Sequence, residues 1–169
     1  MIALHHYGQV FLQLVQTPFL HVELVWGIVP LYFAWILNEL TSAKASFQTA
    51  LQIGFSLLWA GAHWAWQYFP ARSHPSREII LNALFAVNIL ITLFVLALGA
   101  LAMYCGLRRK FPAYCSFLGH SRFGSYFMIS IFPIQAGYLK WSWDRFAAIL
   151  LFAGPIWVAL HFALARFRK

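Results

Sequence analysis

The chain has 169 residues, of which 62% are hydrophobic and 9% charged, against about 25% charged in a soluble domain. That much apolar surface needs an apolar solvent, which excludes a water-soluble globule and predicts an all-α, polytopic integral membrane helix bundle forming one domain over 1–169. Twelve Lys and Arg against four Asp and Glu leave a net charge of +8, yet the basic residues fall at span ends, where insertion favours them, so nucleic acid is not an expected partner.

Met1 to Pro18 contain no Lys or Arg, so a secretory signal peptide is not predicted. Gln9, Gln13 and Gln16 recur at helical spacing among Val10, Phe11, Leu12, Leu14 and Val15. This pattern predicts a short amphipathic helix lying at the membrane interface or packed on the bundle.

About five transmembrane helices are expected to follow, at approximately 18–39, 47–69, 77–105, 124–139 and 143–165. Thr17-Pro18 reads as the N-cap and first helical residue of span one, which is long enough to cross at roughly 33 Å. Ser46 suits the cap of span two, and Pro70 ends it. Ser76 and Glu78 open span three, and Gly106 closes it. Span four is short and carries Pro133 in its middle. Ser142 with Asp144 opens span five.

Charge placement orients these spans. Lys44, Arg108, Arg109, Lys110, Arg122, Arg166, Arg168 and Lys169 fall on one side, and Arg72, Arg77, Lys140 and Arg145 on the other. The positive-inside rule then puts the N-terminus outside and the C-terminus in the cytoplasm, across a plasma (inner) membrane. Trp64, Trp66, Tyr68, Trp141 and Trp143 form an aromatic belt at the outer interface. Arg108, Arg109 and Lys110 read first as a topology signal, and as candidate contacts for anionic lipid headgroups. Cys105 and Cys115 fall on the cytoplasmic side, where reduced thiols are expected. Their spacing matches no zinc or redox motif.

No nucleophile elbow, HExxH metal site, dinucleotide fingerprint or P-loop is present. Glu39, Glu78 and Asp144 fall at helix ends, where interfacial or capping roles are expected. A non-catalytic protein without a metal site is therefore predicted, and the chemistry concentrates on polar groups inside the membrane. Glu23 lies about 7 Å by helical rise into span one, and His63, Asn82 and Gln135 reach a similar depth on later spans. These four and His21 are the candidate ligand-binding residues. Gln52, Ser56, Asn88 and Thr92 are candidates for lining a pathway. The face carrying Gln52, Ser56, Trp59 and His63 is expected to turn into the bundle, with Phe55, Leu58, Ala62 and Ala65 toward lipid.

Three functions fit these features. The first is an accessory or structural subunit of a larger membrane complex. The second is a small transporter or channel with an outer-leaflet polar site, and the third a haem- or chlorin-binding subunit using His21 and His63. Expected partners are the lipid bilayer and other membrane subunits, or a second copy of the chain.

Overall fold

The computed structural model describes residues 2–40, 47–68, 83–108 and 122–165, and every element among them is an α-helix. In chain order these are α1 (Ile2–Leu20), α2 (Val22–Leu40), α3 (Phe47–Tyr68), α4 (Ala83–Arg108), α5 (Arg122–Gln135) and α6 (Trp143–Ala165). Val22–Leu40, Phe85–Arg108 and Trp143–Ala163 are long and apolar enough to cross a membrane.

The first helix boundary differs from the expected one. Pro18 lies inside α1, and the chain leaves helical geometry at His21. Thr17 does not cap a new helix, because its hydroxyl donates back to the Gln13 carbonyl at 2.7 Å. The turn into α2 is closed by Leu24 N–H donating to the His21 carbonyl at 2.8 Å. α1 packs on the bundle against α6 and α5. Phe11 and Leu14 enter the core, Phe11 stacks on Phe152, and Gln9, Gln13 and Gln16 lie on the exposed face.

α2 is organised by one buried stripe: Leu24, Gly27, Ile28, Leu31, Ala34, Trp35, Asn38 and Glu39. Steps of three and four residues keep these side chains on a single helix face. The stripe meets α3 and α5, with a smaller contact to α6.

α3 and α4 form the closest helix pair, running antiparallel through a seam of glycines. A Cβ added at Gly54 would sit 2.7 Å from the backbone nitrogen of Met103 and 3.0 Å from the Gly99 carbonyl oxygen. One added at Gly99 would sit 2.9 Å from the backbone nitrogen of Leu58. Small residues let helix backbones approach closely where lipid supplies no hydrophobic drive. Among the described helices, α4 packs extensively on α3 alone, and its remaining faces expose Leu90, Leu93, Phe94, Leu101 and Leu107.

α5 is the centre of the bundle, in contact with α1, α2, α6 and, more lightly, α3. Met128 to Ala136 are all buried. Pro133 lies near the end of this helix rather than at its middle. Gly137 N–H donates to the Ile134 carbonyl at 2.9 Å and Tyr138 N–H to the Pro133 carbonyl at 3.1 Å. With Gly137 at φ 74°, this is a Schellman C-cap, for which glycine is the favoured residue. At the start of α6, Ser142 is the cap: its carbonyl accepts from Phe146 N–H at 3.0 Å and its hydroxyl from Arg145 N–H at 3.3 Å.

Candidate functional site

Two groups of polar side chains gather at opposite ends of α2. The first is built around Glu23, whose Oε2 accepts a 2.5 Å hydrogen bond from the Tyr138 hydroxyl. The C-cap of α5 makes this bond, since the left-handed turn at Gly137 carries the chain back over the N-terminal end of α2. His21, the residue between α1 and α2, lies against Tyr138 with ring centroids 4.5 Å apart. These three residues form the mouth of the site: His21 and Glu23 are exposed and Tyr138 is half-buried.

His63 forms its inner end. Gly27 follows Glu23 by one helical turn on α2, and the imidazole of His63 occupies the space a side chain would take there. A Cβ at Gly27 would approach His63 Cδ2 to 2.6 Å and Phe132 Cζ to 2.5 Å. His63 stacks on Phe132 with centroids 5.7 Å apart, and Trp64 closes on the same ring at 5.6 Å. His63 interacts electrostatically with Glu23. Its Nε2 is buried and finds no hydrogen-bond partner among the described residues.

A proline shapes the α2–α3 wall beside this site. Pro30 lies inside α2 and has no N–H to donate to the Trp26 carbonyl one turn earlier. Trp59 Nε1 donates to that carbonyl at 2.7 Å. A side chain from the neighbouring helix thus satisfies the acceptor that proline leaves open, as membrane helices require.

Other expected site residues lie elsewhere. Gln135 is fully buried at the end of α5 and turns to α4, where its amide approaches Asn88 Oδ1 at 3.5 Å. Trp141 Nε1 donates to the same oxygen at 2.7 Å, so Asn88 fastens the start of α4 to the turn between α5 and α6. Thr92 bonds within its own helix to the Asn88 carbonyl at 2.9 Å. Ser56 is buried and bonds to the Ile53 carbonyl at 2.9 Å. Gln52 is half-buried. The α3 faces divide less cleanly than expected: Phe55 and Ala62 are exposed, but so is Trp59, while Leu58 packs against Gly99 of α4. Arg108 lies with its guanidinium 5.0 Å from the Tyr104 ring centroid. Asn82, Arg109 and Lys110 fall outside the described residues.

The second group was not anticipated as a site. Glu39, expected at a wet helix end, is 0% exposed, and its Oε2 lies 3.2 Å from His161 Nδ1 of α6. The sequence did contain a signal: the three-four spacing from Leu24 onward extends to Asn38 and Glu39. Cys105 also departs from expectation, being buried and disulfide-bonded rather than a free thiol. Among the described residues, no group of three or more His, Cys, Asp or Glu is placed to hold a metal ion.

Compared with protein-family models, curated proteins and solved structures, the chain matches none.

Proposed function

We propose that this chain is a small membrane transporter or channel whose outer-leaflet site is formed by Glu23, Tyr138, His21 and His63. One observation carries the reading: a carboxylate, a phenol and two imidazoles gather at one end of α2, with Tyr138 bonded to Glu23, His21 against Tyr138, and His63 filling the space at Gly27 with a buried Nε2 that has no hydrogen-bond partner among the described residues. Ionisable groups inside a membrane mark functional positions more often than structural ones. Sites between broken or proline-bearing helices recur in transport proteins. The haem reading is not adopted, because His63 packs directly on Gly27 and Phe132 and leaves no slot for a macrocycle between α2 and α3.

The topology that goes with this reading has five crossings. The close pairing of α3 with α4 along the glycine seam supports a crossing by α3 beside that of α4. α5 is the fourth in chain order, buried among its neighbours, and α1 packs along α6 with Phe11 on Phe152. The basic asymmetry of the sequence supports an orientation in a plasma membrane with the C-terminal end of α6 toward the cytoplasm.

The accessory-subunit reading is favoured by a separate feature. α4 has one extensive helix partner among the described residues and leaves a broad aliphatic face. A second protein, or a second copy of this chain, fits there as well as lipid.

Reconstitution tests the transport reading. Proteoliposomes containing the full chain are subjected to salt jumps on a solid-supported membrane and to osmotic jumps in stopped-flow light scattering. Charge or volume movement that Glu23→Gln abolishes is the expected result. Traces indistinguishable from those of protein-free vesicles, for folded protein, overturn it.

A further inference from the structure

We infer that α3 and α4 form a rigid arm that swings away from the body built by α1, α2, α5 and α6 at the end nearest the Glu23 site, with Asn88 as the clasp that holds it shut. The swing stands on packing and chain topology. Its use as a gate rests on the transport reading above.

Packing divides the bundle in this way. Inside the arm the glycine seam brings the two helices close along their length: a Cβ at Gly61 would lie 2.7 Å from Leu96 Cδ2, and one at Gly106 3.1 Å from the Phe47 carbonyl oxygen. Such a pair moves as one piece, because close-packed contacts are not continuously deformable. The body is tied together through α5, which packs on α1, α2 and α6. Arm meets body chiefly where α3 lies on α2. The main chain enters the arm from Leu40 and leaves it at Arg108, both at the Glu39 end of the bundle. The other end of this hairpin is therefore joined to the body by non-covalent contacts.

At that end a single oxygen does the fastening. Asn88 Oδ1 of α4 accepts from Trp141 Nε1 at 2.7 Å and faces the Gln135 amide at 3.5 Å. On α3, His63 and Trp64 close on Phe132 of α5. The shut state is incompletely satisfied there. His63 Nε2 and Trp64 Nε1 are both buried without a hydrogen-bond partner among the described residues, and a buried polar atom left unpaired costs free energy. A swing that lifts His63 out of the space at Gly27 admits water to both nitrogens, which offsets part of the packing lost. Shut and open states then lie close enough for one clasp to bias them. Glu23, Tyr138 and His21 stay with the body while His63 leaves with the arm, so the swing opens the site from one side, as rocking bundles do in transporters.

Distances between spin labels on the full chain in nanodiscs test the swing, with the labels on genetically encoded amino acids so that Cys105 is untouched. Phe55 with Leu90 is a pair within the arm, and Phe33 with Phe146 a pair within the body, all at exposed positions. Each is expected to give one narrow distribution. Val22 with Leu90, also exposed, crosses from body to arm and is expected to show a short and a long population. Asn88→Leu and Trp141→Phe should each raise the long-to-short ratio roughly three-fold or more, the worth of an interhelical hydrogen bond in a membrane. Thr92→Val, which removes a bond within α4, should leave the ratio unchanged. A crossing pair as narrow as the internal pairs, in the parent and in both clasp variants, overturns the swing, and so does equal broadening of all three pairs. Two populations that neither clasp variant shifts overturn Asn88 as the clasp. A swing that leaves Glu23-dependent currents the same in Asn88→Leu as in the parent overturns the gate. Absence of those currents in the parent removes the transport reading and leaves the swing standing.

Discussion

Trp59 Nε1 donates to the Trp26 carbonyl at 2.7 Å, the one position in α2 where Pro30 removes the intrahelical donor. Sequence distance conceals this relationship, because the indole and the proline it compensates lie on different helices. The two side chains should therefore be coupled energetically. Trp59→Phe keeps the ring and removes the donor, and is expected to destabilise the folded protein by about 0.6–1.7 kcal/mol, the range of interhelical hydrogen bonds in membranes. Pro30→Ala restores a backbone N–H, so in that background Trp59→Phe should cost much less. Unfolding in mixed micelles across the four proteins gives the coupling. Additive effects would show that the indole serves another purpose.

The buried pair at the other end of α2 makes a second prediction. Glu39 has no exposed surface and lies 3.2 Å from His161, which is 26% exposed. His161→Leu takes the imidazole away from this buried carboxylate and is expected to cost about 3 kcal/mol or more. Adding Glu39→Met to that variant removes the buried charge and should recover most of the loss. Micellar unfolding of the single and double variants reads this directly, and a double variant no better than His161→Leu contradicts a paired role.

The glycine seam predicts a position-specific pattern. Gly54→Val drives a side chain against the Met103 nitrogen and the Gly99 carbonyl, both backbone atoms that cannot step aside. A loss of about 1–3 kcal/mol is expected from such overpacking. Gly154→Ala, where nothing lies within 4 Å of the added carbon, should leave stability unchanged. Thermal unfolding of both variants in the same detergent provides the comparison, and equal losses would argue against close helix contact.

Helical character, the apolar lengths of α2, α4 and α6 and the signal at Ser142 could be read from the sequence, because each depends on local pattern or bulk composition. Seven-residue spacing of Gly54 and Gly61, matched by Gly99 and Gly106, was also readable, yet only pairing reveals that the two sets face each other. The candidate site was legible in part. Glu23 and His63 stand out as ionisable groups among apolar neighbours, but Tyr138 does not. Its role comes from a helix cap that points it at a helix far away in sequence. Glu39 misled for a physical reason: a helix end is wet only if no other helix covers it, and α6 supplies His161 there.

Cys105 tests the orientation. It is disulfide-bonded in the structure, whereas the orientation proposed above would put its end of α4 in the cytoplasm, where disulfides do not persist. With that orientation, cells quenched in acid and alkylated at once should yield protein with free thiols, and oxidation should appear only after extraction. Mass spectrometry of the alkylated protein measures the ratio. A disulfide already complete in the living cell would reverse the orientation proposed for the bundle.

The burial of α5 bears on how the protein is made. In the five-crossing topology proposed above, a helix with Ser130 and Gln135 among its buried residues, and with Met128 to Ala136 all buried, is poorly suited to wait alone in a bilayer. Its shelter is completed by α6, which is synthesised after it. Insertion and folding therefore cannot proceed one helix at a time here. α5 must be held at the insertion machinery or against α1 and α2 until α6 emerges, and a chain stalled before Trp143 should be recognised and degraded as unassembled, whatever the quality of its first four helices.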